Sequence, residues 1–363
     1  MSETTPLINT SVPAKKSHKN VIIGCVVVAA VAIGGFITYT KLSKSVPEAG
    51  KVEGFPEADA ELFNFKLSRN KIDPVEHVAF DCKGFGACNA TVRFSDVSEI
   101  QMDYLIQSND EHCMEYTDVW SSLDSNIYTV HVHTPKQRPT HPRDLKFQVL
   151  IHLNVPKSLE FDFDIDADVG LLDFVGTPKK ISAMTSHIHA GIIKVKDVKS
   201  DTFDFQMNAG VMTVQDIKAV DLVKADTNAA VVEFDVEFVE NGERKVDLYA
   251  DAGVIVGKYE NYASFTAKVE AGVHSFDLVP LPESFTKVTG EAAEIDLALT
   301  DFEGSVDLKA TVGTVKLKYS TPKKVNLKKK KAFPGEHYVG TIGEGKMQLQ
   351  SVVTAGTIKA TFE

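Results

Sequence analysis

The sequence lacks the signatures that usually announce an activity. It has no Gly-x-Ser-x-Gly elbow, no phosphate-cradling glycine loop, no zinc-ligand spacing and no dinucleotide fingerprint, so catalysis is not expected and no cofactor is implied. Basic residues are in the minority, with 39 Lys and Arg against 50 Asp and Glu. That balance argues against nucleic acid as a partner, because phosphate backbones select a basic surface. Lys15, Lys16 and Lys19 outweigh Glu3 in the first forty residues, so the rest is more acidic than the whole. Cysteine is scarce, at four, and beyond about residue 60 helical periodicity is missing as well.

One long apolar run is present. Val21–Thr40 carries no charge and shows no polar face. At about 1.5 Å per residue it matches the roughly 30 Å hydrocarbon core of a bilayer. Lys15, Lys16 and Lys19 precede it, and Lys41 and Lys44 follow. A cleaved signal peptide has a shorter leader and a shorter apolar region, so an uncleaved single-pass anchor is expected. The slight positive bias before the run places residues 1–20 in the cytoplasm as a tail. Residues 41–60, with Ser43, Ser45, Pro47, Gly50, Gly54 and Pro56, read as a stalk, and the large domain then faces the lumen or the cell exterior. Two features agree with that side. Asn89-Ala-Thr91 is an N-glycosylation acceptor, and Cys82 and Cys88 flank glycines that let a short loop close into a disulfide, leaving Cys113 over.

The domain itself reads as all-β. Segments such as Ile127–His133, Leu159–Ile165 and Phe203–Met207 alternate apolar and polar residues, the pattern of half-buried strands. Others are expected near 77–82, 90–94 and 99–106. A phrase then recurs: Asp168-Val-Gly170, His189-Ala-Gly191, Asn208-Ala-Gly210, Asn228-Ala-Ala230, Asp251-Ala-Gly253, Glu270-Ala-Gly272, Glu291-Ala-Ala293, Thr311-Val-Gly313 and Thr354-Ala-Gly356. The first eight copies follow one another at about twenty residues, a spacing that marks a structural repeat. Because alternate strand side chains point to opposite faces, Leu172, Ile193, Met212, Val232, Ile255, His274, Ile295, Val315 and Ile358 form one inward column. Lys194, Glu233 and Lys316 belong to the outward one. Units of this kind bury their apolar faces only by stacking, so residues 151–363 are expected to form a parallel β-solenoid, with an antiparallel sandwich as the alternative. Residues 61–150 are its N-terminal β cap. With no cap visible after Phe362, the last edge is expected to support self-association.

The stretch from His152 through Val155-Pro156 to Phe161-Asp-Phe163, running into the first turn phrase, resembles the start of the "putative adhesin" family. This is a bacterial and fungal group of unknown function with a right-handed parallel β-helix, and the resemblance covers residues 120–363. Ala stands where the family has Ser or Asn before most glycines, and Ala230 and Ala293 replace the glycine itself. The resemblance implies a fold and supplies no catalytic residues.

Several clusters remain. The polar residue of each turn phrase would stack into a ladder serving turn chemistry. His131 and His133, and likewise His187 and His189, each put two imidazoles on one strand face; two ligands fall short of a metal set, and no metal is expected. His274 lies in the inward column as a core histidine. Lys328, Lys329, Lys330 and Lys331, with Lys316, Lys318, Lys323 and Lys324 nearby, form a basic patch suited to a polyanion. Asp162, Asp164 and Asp166 share a strand face and give the enzyme alternative its carboxylates. The expected function is a membrane-anchored surface adhesion module contacting wall or extracellular polysaccharide or neighbouring proteins. A carbohydrate-active enzyme on the same scaffold is the alternative.

Overall fold

The computed structural model describes residues 63–363, apart from 73–74, 85–86, 111, 116, 135–146, 177–179 and 321–323. The expected tail (1–20), membrane helix (21–40) and stalk (41–60) lie outside the described residues. Among the described residues, no helix is long and apolar enough to cross a membrane.

The described chain is all-β. In order it comprises β1 (Phe63–Ile72), β2 (His77–Lys83), β3 (Ala87–Ser95), β4 (Ile100–Ser108), β5 (Asp118–Asp124), β6 (Ile127–His133), β7 (Phe147–Pro156) and β8 (Glu160–Val175). There follow β9 (Lys180–Lys196), β10 (Lys199–Phe238), β11 (Lys245–Leu299), β12 (Gly304–Tyr319), β13 (Val325–Ala332), β14 (Gly335–Ile342) and β15 (Met347–Phe362). The expected strands near 77–82, 90–94, 99–106 and 126–133 correspond to β2, β3, β4 and β6. All fifteen strands join one large mixed sheet.

Its middle is parallel. β8 pairs with β9, β9 with β10, β10 with β11, β11 with β15 and β15 with β12, all in parallel register. An antiparallel sandwich does not pair this way. From β8 to β11 the repeat spacing is the separation between neighbouring rungs. Within β10 the Asn228 Nδ2 donates to Asn208 Oδ1 at 3.0 Å across 20 residues, so the element doubles back on itself. β11 does the same, since a Cβ placed on Gly272 would lie 2.0 Å from the Gly253 carbonyl oxygen.

The turn phrases form a column along one edge, with Gly170, Gly191 and Gly210 in mutual register and Ala293, Gly356 and Gly313 in register farther on. Ala230 and Ala293 serve at two places in this column, but glycine is required where the φ is left-handed and the backbones meet closely. Gly210 has φ of 144°, and a Cβ there would stand 2.0 Å from the Gly191 oxygen. A second turn column was not anticipated from the sequence. Asp197, Asp216, Asn261 and Asp301 take left-handed φ between 53° and 60° at the other end of their rungs, each followed by an apolar or aromatic residue, and Glu240 and Glu283 take left-handed φ of 64° and 66° at intervening turns. Asp and Asn tolerate that region best after glycine, so an Asp or Asn before a lone apolar residue was the available signal.

Rung order departs from chain order at both ends. β15 lies between β11 and β12, so Thr354-Ala-Gly356 sits between Ala293 and Gly313. Phe362 is thus inside the sheet, and the association expected from an open edge after it has no such edge to use. Beyond β12 the sheet is closed by antiparallel β14 and β13. At the other end, β2 and β3 pair parallel with β8 on one side and with β6 and β7 on the other. β4 and β1 then close that end antiparallel, while β5 covers β6.

Among the described residues the main apolar core cluster runs from Val75 to Phe362, and Leu105 and Leu150 form a small separate pair. The inward column is buried throughout, from Leu172 and Ile193 to Val315 and Ile358. Tyr259 packs against Phe234, Phe265 and Phe276 with ring centroids 5.0–6.5 Å apart, filling the centre with aromatic surface.

Candidate functional site

Among the described residues, a dense polar constellation lies on the outer face of β6, β2, β8 and β9, beside the glycine column. Strand alternation turns His131 and His133 to the same side, and register sets Asp81 of β2 opposite His131. Asp166 of β8 is next, opposite Asp81, and His187 of β9 follows opposite Asp166. Four strands therefore deliver a row of His, Asp, Asp and His. No local pattern reveals it, because its members come from separate segments.

Asp81 is the hub. Its Oδ2 lies 3.2 Å from His131 Nδ1 and 3.0 Å from His133 Nε2. Lys83 Nζ stands 3.7 Å from the other oxygen, Oδ1, and makes a closer ion pair with Asp166. Partial burial alone would raise the Asp81 carboxyl, but hydrogen bonds from His133 and His131, with the charges of His133 and Lys83, hold it below the usual carboxylate range. Trp120 of β5 covers the group, its ring stacked on His131 at 4.7 Å and set edge-on to His133 at 4.8 Å. The far ring nitrogen of His131, Nε2, meets Ser122 Oγ at 3.2 Å.

Next to this group, Asp168 joins the first turn phrase to the disulfide loop. Its Oδ2 accepts from the Gly84 N–H at 2.7 Å and its Oδ1 faces His189 Nδ1 at 2.9 Å. Burial acts to raise this carboxyl too, and the Gly84 and His189 contacts lower it more. The ladder continues through Asn208 and Asn228 to Asp251 and Glu270, both of which accept from the Tyr249 hydroxyl. The Asn228–Asn208 and Tyr249–Glu270 bonds join neighbouring rungs, so the ladder does more than satisfy its own turns.

The remaining candidates are dispersed. Cys82 and Cys88 form a disulfide across the corner between β2 and β3, where Cys88 pairs with Gly170 and so takes the glycine's place in the column. Cys113 is a free, buried thiol, pushed up to about 11 chiefly by burial. Asn89 lies mid-strand on β3, its Nδ2 donating to Gln148 Oε1 at 2.9 Å. The four lysines form half of β13, the sheet's edge. Lys329 is paired with Glu336 and lies 5.4 Å over the Tyr338 ring, while Lys328 and Lys330 are exposed on the opposite face. His274 is fully buried, and burial lowers it to about 4, so it is a neutral core residue at neutral pH. Asp164 is raised by burial, with Asp166 adding to the effect.

No family model and no curated protein matches the chain. Solved structures do. Several are named adhesins. A putative adhesin from Bacteroides fragilis is 11% identical, with 83% of this chain and 97% of that one covered and a TM-score of 0.31. A putative cell adhesion protein from Clostridium sporogenes is 10% identical, with 82% and 99% covered and a TM-score of 0.21. A putative lipid binding protein from Parabacteroides distasonis is 10% identical, with 81% and 96% covered and a TM-score of 0.35. The two adhesion names match the sequence resemblance.

Proposed function

We propose that the chain is a membrane-anchored, surface-displayed binding module whose parallel rungs wind as a β-solenoid and meet wall polymers, extracellular polysaccharide or neighbouring surface proteins. The observation that carries this reading is the parallel register itself. Strands about 4.8 Å apart repeat the same outward columns rung after rung, giving a long regular face suited to an extended repetitive ligand. The apolar run 21–40 supports the anchor, and the Cys82–Cys88 disulfide supports an oxidising lumenal or exterior side. Asn89 is the proposed glycan acceptor on that side, where a glycan would displace the bond to Gln148. Lys328 and Lys330, with Lys331, are proposed as polyanion contacts; Lys329 is already engaged by Glu336.

The test is a polysaccharide and polyanion array probed with the full chain in mild detergent, scored for retention and for released product. Retention without product is expected. Product release would favour the competing reading, a carbohydrate-active enzyme, to which the raised Asp164 beside Asp166 lends its one specific support. Absence of both would overturn the proposal.

A further inference from the structure

We infer that Asp81, His131 and His133 form a binding site for a divalent transition-metal ion of the zinc class. The three side chains present one donor atom each, and these atoms all lie within 4.8 Å of one another. Two imidazoles and one carboxylate are a set that Zn2+ accepts, with metal–ligand distances of about 2.0–2.2 Å. The present separations of 3.0 and 3.2 Å between Asp81 Oδ2 and the two ring nitrogens approximate the edges of a tetrahedron of that size.

The surroundings suit an ion as well. His131 would ligate through Nδ1, and Ser122 Oγ, 3.2 Å from Nε2, would receive the Nε2–H and fix the ring's tautomer. His131, Asp81 and His133 are 21%, 30% and 39% exposed, so the fourth position opens to solvent and takes a water or an oxygen donor from a ligand. The Trp120 indole forms one wall. The one unfavourable feature is the Lys83 ammonium, 3.7 Å from Asp81 Oδ1, although its closer partner is Asp166. The site is independent of whether the outer columns bind a polymer.

Trp120 is the only tryptophan, which makes the test direct. Untagged full chain in mild detergent is titrated with Zn2+ by calorimetry and with Cu2+ by tryptophan fluorescence. One Zn2+ per chain is expected, with a Kd on the order of 1 μM, and one equivalent of Cu2+ should quench the emission. Asp81→Asn and His133→Gln should each weaken Zn2+ binding by about 100-fold and Ser122→Ala by about tenfold, while the pair His187→Ala and His189→Ala leaves it unchanged. Lys83→Met should tighten binding about tenfold, a gain that misfolding does not produce. Absence of saturable binding by the parent chain would overturn the site, as would undiminished binding by Asp81→Asn, loss in the His187/His189 variant, or no gain from Lys83→Met.

Discussion

The two ends of the sheet are closed by the same antiparallel device built from opposite materials. At the first end, β4 turns Ile100, Met102, Tyr104 and Ile106 inward, all buried, and the Cys82–Cys88 disulfide ties the corner two rungs in. At the far end, β14 is half-buried for most of its length and β13 carries a run of lysines. One end extends the core, and the other stops the sheet by charging its last edge. An edge strand offers unpaired backbone groups to any other strand, and lysine is a common means of refusing that pairing.

This contrast can be broken from either side. Ile106→Ala, at a fully buried position of the first end, should cost about 3 kcal/mol, measured by urea denaturation, whereas Leu327→Ala, at a partly buried position of exposed β13, should cost about 1 kcal/mol or less. Equal costs would mean that the far end is as much a part of the core as the first. Between the ends lies His274, whose folded-state value of about 4 is depressed from 6.5. Its contribution is full above pH 6.5 and is lost as pH falls towards 4, because the unfolded chain then binds the proton more readily. The loss amounts to about 3 kcal/mol, and His274→Phe should flatten that slope in denaturation curves taken across the range.

Reduction of Cys82–Cys88, or Cys82→Ser with Cys88→Ser, should cost about 2 kcal/mol, as expected for a short loop, and should lower the thermal midpoint of the first end before that of the far end. Lys328→Thr with Lys330→Thr should change stability by less than about 0.5 kcal/mol, since both are exposed. The same variant should raise self-association in sedimentation experiments, because the edge is no longer guarded. A monomeric variant would show that the lysines serve something other than edge protection.

Much of the strand architecture was readable in advance. Every residue of the inward column from Leu172 to Ile358 is buried, while Lys194, Glu233 and Lys316 are exposed. The alternation that revealed them is a local property. The second turn column at Asp197, Asp216, Asn261 and Asp301 was missed because a single polar residue before an apolar one is a weak mark. The Asp81–His131–His133 group was half visible, as a pair of imidazoles on β6. Its third member is 50 residues from His131 and 52 from His133, and nothing in the chain announces it.

The sequence by itself determined the rung: its length, its inward face, its glycine corner and the cysteines able to close the first loop. The tertiary structure alone decided which rung lies beside which, placing β15 between β11 and β12 and β2 beside β6. The physical reason is that parallel neighbours recognise one another through backbone hydrogen bonds, which any strand of suitable length and alternation can offer. Side chains specify each strand's faces. The neighbour follows from how the whole core is filled and its ends closed, and with the neighbour comes the site that brings Asp81 to the two histidines.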